Sequence, residues 1–123
     1  MMSEIELQPL RITSGWLIEW NLFYEVDPSN ETMQYLDASS LLHIENHQLM
    51  RAINLDFKQE NDANGFFHLR VLNLIKTTNK KGNINYEGDW EEPYFELKTK
   101  NRLEIVKKIE QLVLQLPPYK NNN

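Results

Sequence analysis

The sequence predicts an α+β domain: an antiparallel β-sheet of five to six strands with a C-terminal amphipathic helix packed on one face. Three observations carry this reading. Short runs of apolar and polar residues in alternation, bounded by Gly, Pro, Asn and Asp, recur within the first hundred positions. From Asn101 onward the apolar spacing changes to steps of three and four. Pro117-Pro118 then stops the pattern. Strands followed by one helix bury a common core when the helix stripe lies on one sheet face, which leaves the other face open.

The elements follow in order. Residues 5–12 alternate and read as a first strand, which Pro9 moves toward a sheet edge. Ser14-Gly15 is a turn. Residues 16–26 read as the second strand, ended by Asp27-Pro28-Ser29-Asn30. Residues 13–28 hold four aromatics and three carboxylates. With strict alternation, Trp16, Ile18, Trp20, Leu22 and Tyr24 share one face, and Leu17, Glu19, Asn21, Phe23 and Glu25 the other. The Trp face is explained by core packing; facing solvent, it would suit a partner. A short helix or irregular turn fits around Glu31–Leu36, and Leu41–Glu45 is a short strand.

In residues 49–58, Ile53, Leu55 and Phe57 alternate with Asn54, Asp56 and Lys58, as in a half-buried strand. Asn61–Gly65 reads as a hairpin loop in which Gly65 takes positive φ. Phe66–Ile75 is the most apolar run and reads as the central strand. Residues 76–93 show no periodicity and read as one long loop, containing a basic turn at Lys80-Lys81-Gly82-Asn83 and an acidic-aromatic stretch at Gly88–Pro93. Tyr94–Leu97 is the last strand. Asn101 is the helix N-cap with Glu104 three residues on, Leu103, Val106, Ile109, Val113 and Leu116 form the apolar stripe, and Leu112 widens it. Residues 118–123 read as a frayed tail.

At 123 residues the chain, residues 1–123, is one domain, long enough to bury a core without staples. Its composition is that of a water-soluble protein, with 41% hydrophobic and 25% charged residues. The absence of cysteine excludes disulfides, thiolate zinc sites and thiol catalysis. A net charge of −5 argues against nucleic acid or an anionic membrane as partner and fits a basic protein. The acidic start Met1–Glu6 has no apolar signal segment and no run is long enough to span a bilayer, so the expected compartment is the cytoplasm. In that compartment the Asn30-Glu31-Thr32 acceptor pattern has no role. The usage of Asn, Lys and Ile suggests an AT-rich bacterial genome.

Two clusters carry chemistry-bearing residues. His43 and His47 flank Glu45 at a spacing that binds metal on a helix, but on a strand they lie about 13 Å apart. His68 or Asp56 joins them only if the fold brings them in. These histidines are weak metal candidates, and the plain reading is surface or half-buried imidazoles. Glu87, Asp89, Glu91 and Glu92 surround Trp90. The choice there is between an anionic contact patch with Trp90 as anchor and a Trp tucked under its own loop. Tyr86, Asp89, Trp90, Glu91 and Glu92 are the candidate partner-binding residues. Glycines 15, 65, 82 and 88 are too scattered for a phosphate loop, and Thr13-Ser14-Gly15 is not a nucleophile elbow. No catalytic residue, metal or cofactor is assigned.

Arg11-Ile12-Thr13-Ser14-Gly15-Trp16 and Trp90-Glu91-Glu92-Pro93-Tyr94-Phe95-Glu96, about a fifth of the chain, resemble the small immunity proteins of bacterial polymorphic-toxin and contact-dependent inhibition systems. The resemblance, which rests also on size and acidity, implies a cytoplasmic inhibitor that binds a toxin domain and occludes it. Two other readings stand beside it. One is a small-ligand binder or enzyme with a pocket between sheet and helix around His43, Glu45, His47 and His68. The other is a self-associating protein whose strand edges pair, and the chain is accordingly expected as a monomer or a homodimer.

Overall fold

The computed structural model describes residues 5–58 and 64–120. Six strands, β1 (Leu17–Asn21), β2 (Leu42–Asn46), β3 (Arg51–Lys58), β4 (Phe66–Thr78), β5 (Ile84–Gly88) and β6 (Phe95–Thr99), precede helix α1 (Arg102–Gln115). All pairings are antiparallel, in the order β1-β2-β3-β4-β5, with β6 also on β4. The fold is α+β, as expected, with the helix on one face of the sheet.

β4 is the central strand, and it runs three residues past the expected end. The region read as one long loop is mostly a hairpin arm. Asn79 turns the chain: its Oδ1 accepts from the amides of Lys81 and Asn83, and Gly82 takes φ 84°. β5 then returns along β4. Its polar, exposed residues hid it, since Asn85, Glu87 and Lys76 break any apolar alternation at a hairpin tip. β5 and β6 lie end to end on the same edge of β4, where Asp89 and Tyr94 donate to the carbonyls of Asn73 and Val71. Leu74 pairs with Gly88 and Val71 with Phe95. Three steps along β4 therefore match seven on its partner, and four extra residues bulge out between β5 and β6.

The core lies between the helix and one sheet face. Ile44, Ile53, Leu55, Phe67, Leu69 and Val71 face Ile105, Ile109, Val113 and Leu116. Phe23 and Phe57 meet Phe67 edge-on, with ring centroids 6.0 and 5.3 Å away. Burying side chains of this size contributes roughly 1.5–3 kcal/mol each. The Asn101 Oδ1 accepts from the Glu104 amide, fixing the helix start where expected. The stripe is rotated from the one expected: Ile105 is fully buried and Leu103 is exposed. In the first turn, position 105 rather than 103 faces the sheet.

The N-terminal region departs most from expectation. Residues 5–12 form no strand beyond a single bridge, Leu7 to Tyr24. Pro9 has no amide to extend the ladder. The chain instead straps the helix: Arg11 N donates to Glu110 Oε2 (2.8 Å), and Thr13 Oγ1 and Trp16 Nε1 both donate to the Val113 carbonyl (3.3 Å). The next strand is shortened to β1 and carries a bulge at Glu19, so that Ile18 pairs with Ile44 but Trp20 with His43. One extra residue inverts the facing of everything beyond it. Trp16 is therefore buried with the helix, Trp20 stands on the opposite face, and Phe23, expected opposite the Trp row, enters the core.

Gly65 does not have positive φ. It is required because a Cβ there would lie 2.1 Å from the Lys58 carbonyl oxygen. The loop expected at 61–63 lies outside the described residues. The tail expected to fray from 118 is held as far as Tyr119, whose amide donates to Leu49 O (2.8 Å); residues 121–123 are not described. Among the described residues no helix is long and apolar enough to cross a membrane.

Candidate functional site

The sheet face away from the helix is built of cross-strand rows. One row runs Trp20–His43–Asn54–Arg70–Glu96 from β1 to β6. Beside it runs Leu17–Glu45–Ala52–Leu72, and on the other side Asp56–His68–Lys98. The alternation that buries Leu42, Ile44, Ile53, Leu55, Leu69 and Val71 forces these residues to the opposite side. The face also carries a small apolar cluster of its own, in which Ala52, Leu72 and Leu74 are buried and Met50 and Tyr86 pack on them.

His43 and His47 come together here. His43 Nε2 lies 2.8 Å from one oxygen of Glu45 and His47 Nε2 2.9 Å from the other. The expected separation along a strand does not apply, because β2 ends at Asn46 and His47 lies in the turn. Asn46 Oδ1 shapes that turn by accepting from the amides of Gln48 and Leu49. Asn54 Nδ2 donates to His43 Nδ1 (3.1 Å), so the Nε2–H of His43 is the donor to Glu45. Both carboxylate oxygens are thereby engaged.

The acidic-aromatic segment folds onto these imidazoles. The Tyr86 ring stacks on His47 at 3.7 Å, and Trp90 stacks near His43 at 6.4 Å with the Arg70 guanidinium 5.4 Å from its ring. A Cβ at Gly88 would lie 2.9 Å from Leu72 Cδ1 and at ordinary contact distance, 3.6 Å, from Trp90 Nε1. Asp89 Oδ1 accepts from the amides of Glu91 and Glu92 and holds the turn. Those two side chains are exposed and make no ion pair among the described residues. Tyr94, which closes the bulge, packs against Arg51: the guanidinium carbon is 3.9 Å from its ring centroid and 5.5 Å from that of Tyr119. Arg51 donates to Pro117 O (3.0 Å) and to Asn73 Oδ1. Burial lowers its pKa from the usual arginine value, partly offset by the two tyrosines.

The third row is a charge network. Arg70 Nη2 donates to His68 Nδ1 (3.0 Å), Arg70 Nε lies 3.3 Å from His68 Nε2, and that Nε2 makes a hydrogen bond with Glu96 Oε2 (2.9 Å). That hydrogen bond, helped by the charges of Lys98 and Arg70, holds the Glu96 carboxyl below its usual range. Asp56 Oδ2 lies 3.4 Å from Lys58 Nζ and 3.7 Å from Arg70 Nη2, and the buried Oδ1 accepts no hydrogen bond from the described residues.

The structure thus places Tyr86 and Trp90 on the helix-free face against His47 and His43, and Asp89, Glu91 and Glu92 in the bulge beside them. His68 is in the neighbouring row, tied to the first through Arg70 and Glu96. Among the described residues no group of three or more His, Asp or Glu side chains could hold a metal ion. No hydroxyl among them hydrogen-bonds to an imidazole. Sequence reasoning put Trp20 in a face explained by core packing, whereas it is half exposed with its Nε1–H fixed to Ser40 O at 2.7 Å; it missed Asn54, which holds Ser40 and His43, and Arg70, which lies over Trp90. The polar alternation of Asn54 and Asp56 with apolar partners was the available signal. Comparison of the chain with protein-family models, with curated proteins and with solved structures found no match.

Proposed function

We propose that this chain is a non-catalytic protein-binding module that uses the helix-free face of its sheet, and that it acts in the cytoplasm as an immunity-type inhibitor occluding a basic toxin domain. The observation that carries the reading is the pair of indoles, Trp20 and Trp90, which stand 50% and 49% exposed on the helix-free face beside its polar rows. Large, preoriented aromatics with one open ring face anchor protein interfaces. The bulge carboxylates Asp89, Glu91 and Glu92 and a net charge of −5 favour a basic partner and fast association with it. The immunity role rests on the sequence resemblance.

The test is co-expression of the chain with the product of the neighbouring toxin-like gene, scored by growth rescue and by isolation of the complex. Rescue that Trp90→Ala with Glu91→Lys abolishes, in a variant still folded by circular dichroism, supports the reading. No rescue and no complex overturns it.

A further inference from the structure

The bulge and the Trp90 loop leave a shallow depression beside them, lined by Glu19, Trp20, Ser39, Ser40, His43 and Asn54. Its hydrogen-bonding capacity is one-sided. The Trp20 Nε1–H is held by Ser40 O. Both hydrogens of Asn54 Nδ2 are engaged, by Ser40 Oγ (3.0 Å) and His43 Nδ1 (3.1 Å). The His43 Nε2–H goes to Glu45, and Ser40 Oγ–H points at Leu42 O (3.4 Å). Among the side chains of the lining, only the Ser39 hydroxyl is left to donate. What the depression offers a visitor is acceptor oxygen, an indole face and the carboxylate of Glu19, which makes no ion pair among the described residues. The bulge is what brings Glu19 and Trp20 to the rim together.

A flat cation with several donors fits such a lining. We propose that the depression receives an arginine side chain of the protein partner, its guanidinium stacked on Trp20 and hydrogen-bonded to Glu19. Arginine suits it better than lysine, because a planar guanidinium stacks on indole while its edge reaches a carboxylate in two parallel bonds. The site deepens the protein-binding reading and rests on it, since a single such contact is weak alone.

The test uses the whole chain and the tripeptide acetyl-Gly-Arg-Gly-amide, with the neutral citrulline isostere as control, followed through the Trp20 indole N–H resonance. The expected result is a saturable shift with the arginine peptide, none with citrulline, and binding about two- to fivefold weaker in Glu19→Gln, a surface change that leaves the fold intact. Equal shifts from both peptides, no saturable shift, or unchanged affinity in Glu19→Gln would each overturn the site. The two readings separate cleanly. A partner complex whose affinity ignores both Glu19→Gln and Glu19→Lys sinks the arginine site alone. A saturable arginine site in a chain that forms no complex sinks the proposed function alone.

Discussion

Arg51→Met isolates what holds the bulge loop to the rest of the molecule. Arg51 is 3% exposed, and among the described residues no carboxylate lies within ion-pair distance. Its charge is carried by two hydrogen bonds, to Pro117 O and Asn73 Oδ1, and by the ring of Tyr94. Hydrogen bonds from a charged donor contribute about 1.5–3 kcal/mol each. A desolvated cation–π contact adds about 2 kcal/mol. Methionine keeps most of the volume and removes the cost of burying the cation, which returns several kcal/mol of that sum. The net loss is expected at about 2–4 kcal/mol, a large share of a typical domain's stability. Urea unfolding measures it, as a lower midpoint at unchanged slope. Because the same guanidinium touches Tyr94 and Tyr119, hydrogen exchange should also rise at the Tyr94 and Tyr119 amides. A variant as stable as wild type, or more stable, would refute the reasoning: it would show that desolvation outweighs every contact the guanidinium makes.

Gly65→Ala and Gly88→Ala make the same chemical change and should give opposite outcomes by thermal unfolding. The first drives a methyl to 2.1 Å from a backbone oxygen and is expected to cost about 3 kcal/mol or more; the second meets only the flexible end of Leu72 at 2.9 Å and is expected within about 1 kcal/mol of wild type. Glu96 has a depressed carboxyl pKa in the folded state, so its stabilising contribution is present above the ordinary carboxylate range and lost as pH falls through the folded-state value. The stability gap between wild type and Glu96→Gln, followed by urea midpoints from neutral pH downward, should therefore close on acidification; a gap that widens would refute the assignment. Asn101→Ala removes the side chain that accepts from the Glu104 amide and should cost about 1 kcal/mol, while Asn101→Asp should keep most of it, as read from denaturation midpoints.

The sequence by itself determined the fold class, β2, β3, β4 and β6 within a few residues, the basic turn at Lys80–Asn83, and both ends of the helix. Each of these rests on local physics: period-two alternation, an N-cap side chain, a proline that cannot continue a helix. It also marked Tyr86, Trp90 and the carboxylates around them as unusual. Only the tertiary structure decided where those residues sit. One extra residue at Glu19 inverts the facing of the first strand and sends Trp16 to the core, Trp20 to the open face. No alternation pattern announces a bulge, because its effect appears only in pairing with β2. β5 was illegible for a related reason: a hairpin tip buries little, so its side chains carry no apolar signature, and its backbone pairing with β4 alone defines it. The meeting of His43 and His47 on Glu45 likewise depends on where β2 stops and the chain turns, and their stacking with Trp90 and Tyr86 depends on a contact some forty residues away in sequence, which local periodicity cannot encode.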